Sequence, residues 1–139
     1  MSITPNQILA LAKELCDVVE GDQAKEVALR CSTSRAYYAA LHAADDSLPA
    51  DLALTRADRK GKSSHQAVID KVVAWSKAVR PGRTEAIFVA RNLSRLRDLR
   101  KAADYSTGDD FTAEEAATAL KIATDTVERA GRANAQCAA

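Results

Sequence analysis

Apolar residues recur at three- and four-residue spacing along most of this chain, which is the period of an amphipathic helix. Aromatic residues make up only 4% of the sequence, so the usual strand formers are scarce, whereas Ala, Leu, Lys, Arg and Glu are frequent. We therefore predict an all-α fold. The 139 residues, 47% of them hydrophobic, suffice for one core. We expect one domain over residues 1–131 and a flexible tail over 132–139.

Capping and turn signals divide the chain into five predicted helices. Thr4, Pro5 and Gln7 have the form of a capping box with proline at the first helical position, and Thr112 with Glu115 forms a second capping box. Ser63 or Ser64 caps the third helix, and the turn at residues 80–83 ends it. The predicted spans are about 5–20, 22–46, 64–79, 84–104 and 113–131, with an exposed loop over 47–62.

Charge and cysteine content restrict the classes of function. Twenty Lys and Arg against nineteen Asp and Glu give a net charge of +1, so any basic site must be local. The three scattered cysteines favour reduced thiols and a cytoplasmic location. Two histidines without metal-ligand spacing predict no metal and no cofactor. No apolar run reaches the roughly 20 residues that cross a bilayer, so no membrane partner is expected.

The second predicted helix carries a group of candidate catalytic residues. Arg35, Tyr38 and His42 lie at positions i, i+3 and i+7, on the same predicted face as Cys31 and Leu41. A permanently charged guanidinium and an imidazole that titrates near neutrality suit metal-free RNA cleavage, in which they stabilise the phosphorane and move the 2′-hydroxyl proton. The structural alternative is a hydrogen-bonded core histidine beside a snorkelling or paired arginine.

The fourth predicted helix carries two charges at the border of its apolar face. Arg100 falls in the angular sector of Leu96, and Asp104 lies one turn further. They are expected either to form an ion pair or to leave Arg100 free to hold a phosphate or an acidic partner group. His65, at the start of the third predicted helix, is either a neutral core residue or one wall of a site near Arg100.

Residues 77–101 form the local basic stretch of the sequence. They contain eight basic residues and two acidic ones, an excess of about six positive charges. Arg91 and Arg95 lie one turn apart, roughly opposite the apolar stripe, and are predicted to face solvent and to follow a phosphate backbone. A solvated helix face or a surface that docks an acidic partner explains the same pattern.

Three blocks of this chain, in order, resemble the HEPN (higher eukaryotes and prokaryotes nucleotide-binding) domain family. Residues 34–44 read S-R-A-Y-Y-A-A-L-H-A-A, and residues 64–69 read S-H-Q-A-V-I. Residues 99–105 read L-R-K-A-A-D-Y and precede a capped, alanine-rich helix. The likeness extends from about residue 5 to residue 131. It implies a four- to five-helix up-and-down bundle, usually a homodimer. Prokaryotic proteins of this family are often encoded beside nucleotidyltransferases or in defence and toxin-antitoxin loci.

Many members of that family are metal-independent ribonucleases with an R-x(4-6)-H motif late in the bundle. Arg91 and Asn92 have the form of the start of this motif, but residues 96–98 are Leu, Arg and Asp, so the histidine that the motif requires is missing. Arg35 and His42 satisfy the spacing in an earlier helix. The resemblance therefore implies RNA or nucleotide binding, or partnership with a nucleotidyltransferase. The residues expected to bind the ligand are Tyr38, His65, Arg100, Asp104 and Tyr105, with Arg91 and Arg95. The alternatives are a ribonuclease toxin that uses Arg35 and His42, and a helical bundle that only binds proteins.

Overall fold

The computed structural model describes residues 3–17, 22–61 and 64–138, and these residues form a helical bundle with no strand among them. The helices are α1 (Pro5–Cys16), α2 (Asp22–Ser47), α3 (Arg56–Lys60), α4 (Ser64–Lys77), α5 (Arg83–Tyr105) and α6 (Ala113–Ala138). A single 3-10 turn covers Ala50–Leu52. The all-α prediction is confirmed. The predicted end of the first helix falls at residues 18–20, which lie outside the described residues.

The predicted capping boxes explain where α1 and α6 begin. Thr4 Oγ1 accepts a hydrogen bond from the main-chain N–H of Gln7 at 3.2 Å, and the Gln7 side chain accepts one from the Thr4 N–H at 2.8 Å. Thr112 Oγ1 likewise accepts from the Glu115 N–H at 3.2 Å. Each box satisfies N–H groups that have no partner inside the helix.

Helix α2 is the centre of the bundle and packs against α1, α5 and α6, while α4 packs on α5. Its buried face consists mainly of small side chains, which allow the neighbouring helices to approach closely. These are Ala28, Ser32, Thr33, Ala36, Ala39, Ala40, Ala43 and Ala44. The predicted face of α2 is therefore wrong at Cys31, which is exposed, and right at Leu41, which is buried. Small residues carry little hydrophobic signal, so the sequence pattern did not reveal the true face.

The predicted loop over residues 47–62 contains the helix α3. Thr55 Oγ1 accepts from the Asp58 N–H at 3.1 Å, and Asp58 Oδ2 accepts from the Thr55 N–H at 2.8 Å. This third capping box starts a helix of five residues, too short to show an apolar period. The expectation of a loop without helix is therefore wrong for residues 56–60.

The turn between α4 and α5 packs against the end of α6. Trp75 Nε1 donates to the main-chain oxygen of Pro81 at 2.9 Å, and Gly82 adopts a left-handed φ of 82°. Ala133 of α6 is fully buried, and Cys137 Sγ donates to the Pro81 oxygen at 3.4 Å. Helix α6 thus continues beyond the predicted end at Gly131 and makes residues 132–138 helical.

Two further observations complete the fold. Helix α4 ends at Lys77, two residues before the predicted end at residue 79, and Val79 is 95% exposed. No helix among the described residues is long and apolar enough to span a membrane.

Candidate functional site

Arg100 lies among three tyrosine rings contributed by α2 and α5. Its Cζ is 5.6 Å from the ring centroid of Tyr37, 5.8 Å from that of Tyr38 and 5.7 Å from that of Tyr105. Its Nε donates to Asp104 Oδ2 at 3.1 Å, and its Nη2 donates to the Tyr105 hydroxyl at 3.4 Å. The predicted ion pair is therefore present, and the cation is also held by aromatic faces.

His65, in the first turn of α4, lies beside the rings of Tyr37 and Tyr38. Its ring centroid is 6.0 Å from that of Tyr37 and 5.3 Å from that of Tyr38, both in edge-to-face geometry. Burial lowers the pKa of His65 below its usual 6.5, and the charges of Arg100, His42 and Arg97 lower that pKa further. The imidazole is thus neutral at pH 7 and can both donate and accept a hydrogen bond.

These side chains border a cavity of about 340 Å³ between the start of α4 and the last turns of α5, which we call the Arg100 cavity. It is lined by Tyr37, Ser64, His65, Gln66, Arg97, Arg100 and Lys101. Three of these residues are permanent or near-permanent cations, and no carboxylate of the described part of the chain belongs to the lining. The first turn of a helix also supplies N–H groups without intrahelical partners and the positive end of the helix dipole. The cavity therefore suits an anion.

Hydrogen bonds fix the side chains on the α4 wall of the Arg100 cavity. Arg97 Nη1 donates to Gln66 Oε1, and Gln66 Nε2 in turn donates to Asp70 Oδ1 at 2.8 Å. Burial raises the pKa of the Tyr37 phenol, which therefore stays protonated at neutral pH. The cavity is thus held in shape before any ligand arrives.

Arg35 and His42 line a separate groove of about 690 Å³ between α1 and α2, which we call the α1–α2 groove. Its lining residues are Ile3, Gln7, Ile8, Leu11, Arg35, Tyr38 and His42. Both candidate catalytic side chains are exposed, so the expectation of a buried face is wrong for them. Seven residues of helix separate them by about 10 Å along the axis. Neither forms an ion pair or a hydrogen bond with a side chain in the described ranges 3–17, 22–61 and 64–138.

A small cavity of about 230 Å³ joins these two sites. It shares Tyr38 and His42 with the α1–α2 groove and Ser64 and His65 with the Arg100 cavity. Tyr38 therefore borders both the α1–α2 groove and this small cavity.

Arg91 and Arg95 are exposed, as predicted, but they do not line the Arg100 cavity. Each is two residues from the buried Leu93, which places it about 200° around α5. The Cζ of Arg91 is 5.9 Å from the ring centroid of Phe88. The structure thus separates these two arginines from the other candidate residues.

Several residues that build the site are not among the site residues predicted from the sequence. Tyr37, Arg97 and Lys101 were not candidates, although Arg97 precedes Arg100 by one turn and Tyr37 adjoins Tyr38 in the chain. Arg30 was missed as well, and its role has no local signal, because its hydrogen-bond acceptors lie 72 to 79 residues away. No group of three potential metal ligands occurs within the part of the chain that the structure describes.

Comparisons of the chain with protein-family models, with curated proteins and with solved structures found no match. Function is therefore inferred from the chemistry of the Arg100 cavity and of the α1–α2 groove.

Proposed function

We propose that this protein binds the phosphate of a nucleotide or of a single-stranded RNA segment in the Arg100 cavity. The observation that carries the proposal is the convergence of Arg97, Arg100 and Lys101 with the first turn of α4 on one small cavity. Among the residues that the structure describes, no carboxylate lines this cavity. Guanidinium groups bind phosphate through paired hydrogen bonds, and a helix N-terminus adds main-chain donors.

The aromatic rings around Arg100 suit the base of such a ligand. Tyr105 is 70% exposed and lies directly beside the cation, and Tyr38 is half-buried at the entrance to the adjoining cavity. Bases stack on tyrosine faces without regard to their identity, which gives affinity with little sequence preference. The negatively charged phosphate binds to the cations of the cavity, and the base stacks on the exposed ring of Tyr105.

The resemblance to HEPN domains supports the same proposal. Residues 64–69 and 99–105, two of the three blocks that resemble this family, lie on opposite walls of the Arg100 cavity. The resemblance further implies a homodimer that binds RNA or a nucleotide, partners a nucleotidyltransferase in a toxin-antitoxin or defence-type system, or does both. Light scattering tests the first expectation directly, since a monomer mass contradicts it.

Calorimetric titration of the protein with AMP, ATP, inorganic phosphate and a short single-stranded RNA tests the binding site. Lys101→Glu reverses a charge in the lining and is expected to weaken phosphate-dependent binding at least tenfold. Lys121→Glu makes the same charge change on α6 and serves as the matched control. Affinity should fall with rising salt, with a smaller slope in the Lys101 variant. Equal affinities in the two variants contradict the proposal.

A second candidate function is metal-independent RNA cleavage by Arg35 and His42. It is favoured by the exposure of both side chains in one groove, which shares Tyr38 and His42 with the small cavity beside it. A general base, however, is normally oriented by a hydrogen bond to a third group. His42 makes no such side-chain hydrogen bond in the described part of the chain, which is why we place binding ahead of cleavage.

A further inference from the structure

The α1–α2 groove differs in chemistry from the Arg100 cavity. Its α1 wall is mainly aliphatic: Ile8 and Leu11 of α1 and the preceding Ile3 lie there beside the polar Gln7. Ile3 is 74% exposed and Leu11 is 45% exposed. Neighbouring aliphatic side chains that remain in water along one wall of a groove mark a surface that another apolar group covers.

The opposite wall of the groove carries the guanidinium of Arg35 and the imidazole of His42. These side chains project from α2 two turns apart, and among the residues that the structure describes no carboxylate lines the groove. Neither side chain pairs with a carboxylate in residues 3–17, 22–61 or 64–138. The groove therefore presents aliphatic side chains beside one guanidinium and one imidazole.

We propose that the α1–α2 groove docks an amphipathic helix of a partner protein that has an apolar stripe flanked by carboxylates. Leucine or isoleucine side chains of such a helix cover Ile3, Ile8 and Leu11. Carboxylates seven residues apart on the partner helix match the two-turn separation of Arg35 and His42. A nucleic acid fits this groove less well, because it offers phosphates to the cations but no aliphatic surface to the α1 wall.

The charge of the groove also argues against a second copy of this chain as the occupant. In a two-fold symmetric dimer the same surface lies on both sides of the interface. Two copies that met at this groove would bring Arg35 close to its own equivalent, and like charges at an interface oppose association. An acidic partner gives the complementary charge that a second copy lacks.

Two synthetic helical peptides of 18 residues test the proposal. Both carry the same leucine stripe, and one has glutamate on its flanks where the other has lysine. Fluorescence anisotropy with the full chain is expected to show at least tenfold tighter binding of the acidic peptide. The Arg35→Glu variant is expected to abolish or reverse this preference, whereas Lys77→Glu, the same charge change at the exposed end of α4, leaves it intact.

The aliphatic wall is tested independently with Leu11→Asp, which is expected to weaken binding of the acidic peptide at least tenfold. Leu11 is exposed, so circular dichroism should show an unchanged helix content. Equal binding of both peptides, binding of neither, or an unchanged preference in Arg35→Glu overturns the proposal. It is also overturned if Leu11→Asp halves the mass measured by light scattering, because a second copy then occupies the groove.

Discussion

The guanidinium of Arg30 donates to the main-chain oxygen of Ala103 at 2.8 Å, although 73 residues separate them in the chain. It also donates to the oxygens of Ala102 at 3.2 Å, Ser106 at 3.2 Å and Asp109 at 2.6 Å. The last carbonyls of a helix lack intrahelical partners and carry the negative end of its dipole, so a buried cation satisfies both. Arg30 thereby anchors the end of α5 that carries Asp104 and Tyr105.

Replacement of Arg30 by Met should lower the free energy of unfolding by about 2 kcal/mol, since hydrogen bonds to a charged donor are lost and the main-chain oxygen of Ala103 loses the Arg30 guanidinium. Hydrogen exchange should become faster at the amides of residues 106–109. Arg59→Ala is the comparison, because the Arg59 side chain is 57% exposed and its ion pair with Asp45 is worth less than about 1 kcal/mol. Similar losses in the two variants would show that Arg30 does not anchor the turn.

Gly82→Ala should destabilise the protein by about 2 kcal/mol or more, because its φ of 82° is strained for any residue with a Cβ. The new Cβ would lie 2.6 Å from Trp75 Cζ2 and 2.9 Å from the Ala133 oxygen. Gly131→Ala, inside α6 with nothing within 4 Å of its Cβ, should instead stabilise the protein by about 0.5 to 1 kcal/mol. Urea denaturation measures both changes, and equal signs would contradict this account of the α4–α5 turn.

The lowered pKa of His65 makes stability depend on pH in a defined direction. The unfolded chain binds a proton at this histidine near pH 6.5, whereas the folded protein binds it only at lower pH. The free energy of unfolding therefore falls as the pH decreases through 6.5 toward the folded pKa. His65→Gln removes this contribution. Denaturation at pH 7.5 and 5.5 should show that the wild type loses more stability than the variant, and parallel losses would refute the assignment.

Mixed RNA incubated with the protein in excess EDTA is expected to stay intact, because no group orients His42 in the α1–α2 groove of the described structure. The assay compares the wild type with the Arg35→Ala/His42→Ala double variant. Metal-independent cleavage that is lost only in the double variant would establish the ribonuclease reading and locate its site on α2.

The sequence predicts those parts of the fold that local interactions decide. The span of α5 and the capping boxes at Thr4 and Thr112 follow from apolar period and from side chains three residues apart. The buried face of α2 does not follow, because alanine and serine are buried there through close helix packing. The extension of α6 depends on contacts with Pro81 and Gly82, which are distant in the chain.

The candidate site, like the fold, can be predicted from the sequence only where local spacing decides it. The positions of Arg100 and Asp104 one turn apart predict their ion pair, and His65 was considered as a wall near Arg100. The inclusion of Arg97 and Lys101, and the separation of Arg91 and Arg95, depend on which side of α5 meets the start of α4. Tertiary packing decides that orientation, and the charge pattern of one helix does not contain it.

Because α6 packs along α2, the buried face of α2 is completed only late in the synthesis of the chain. Ser47 ends α2 and Ala113 begins α6, so at 5 to 20 residues per second roughly 3 to 13 s of synthesis separate the two helices. During that interval the alanine face of α2 exists without the helix that covers it. The nascent chain therefore passes through a stage of several seconds with uncovered apolar surface, in which chaperone binding competes with premature association.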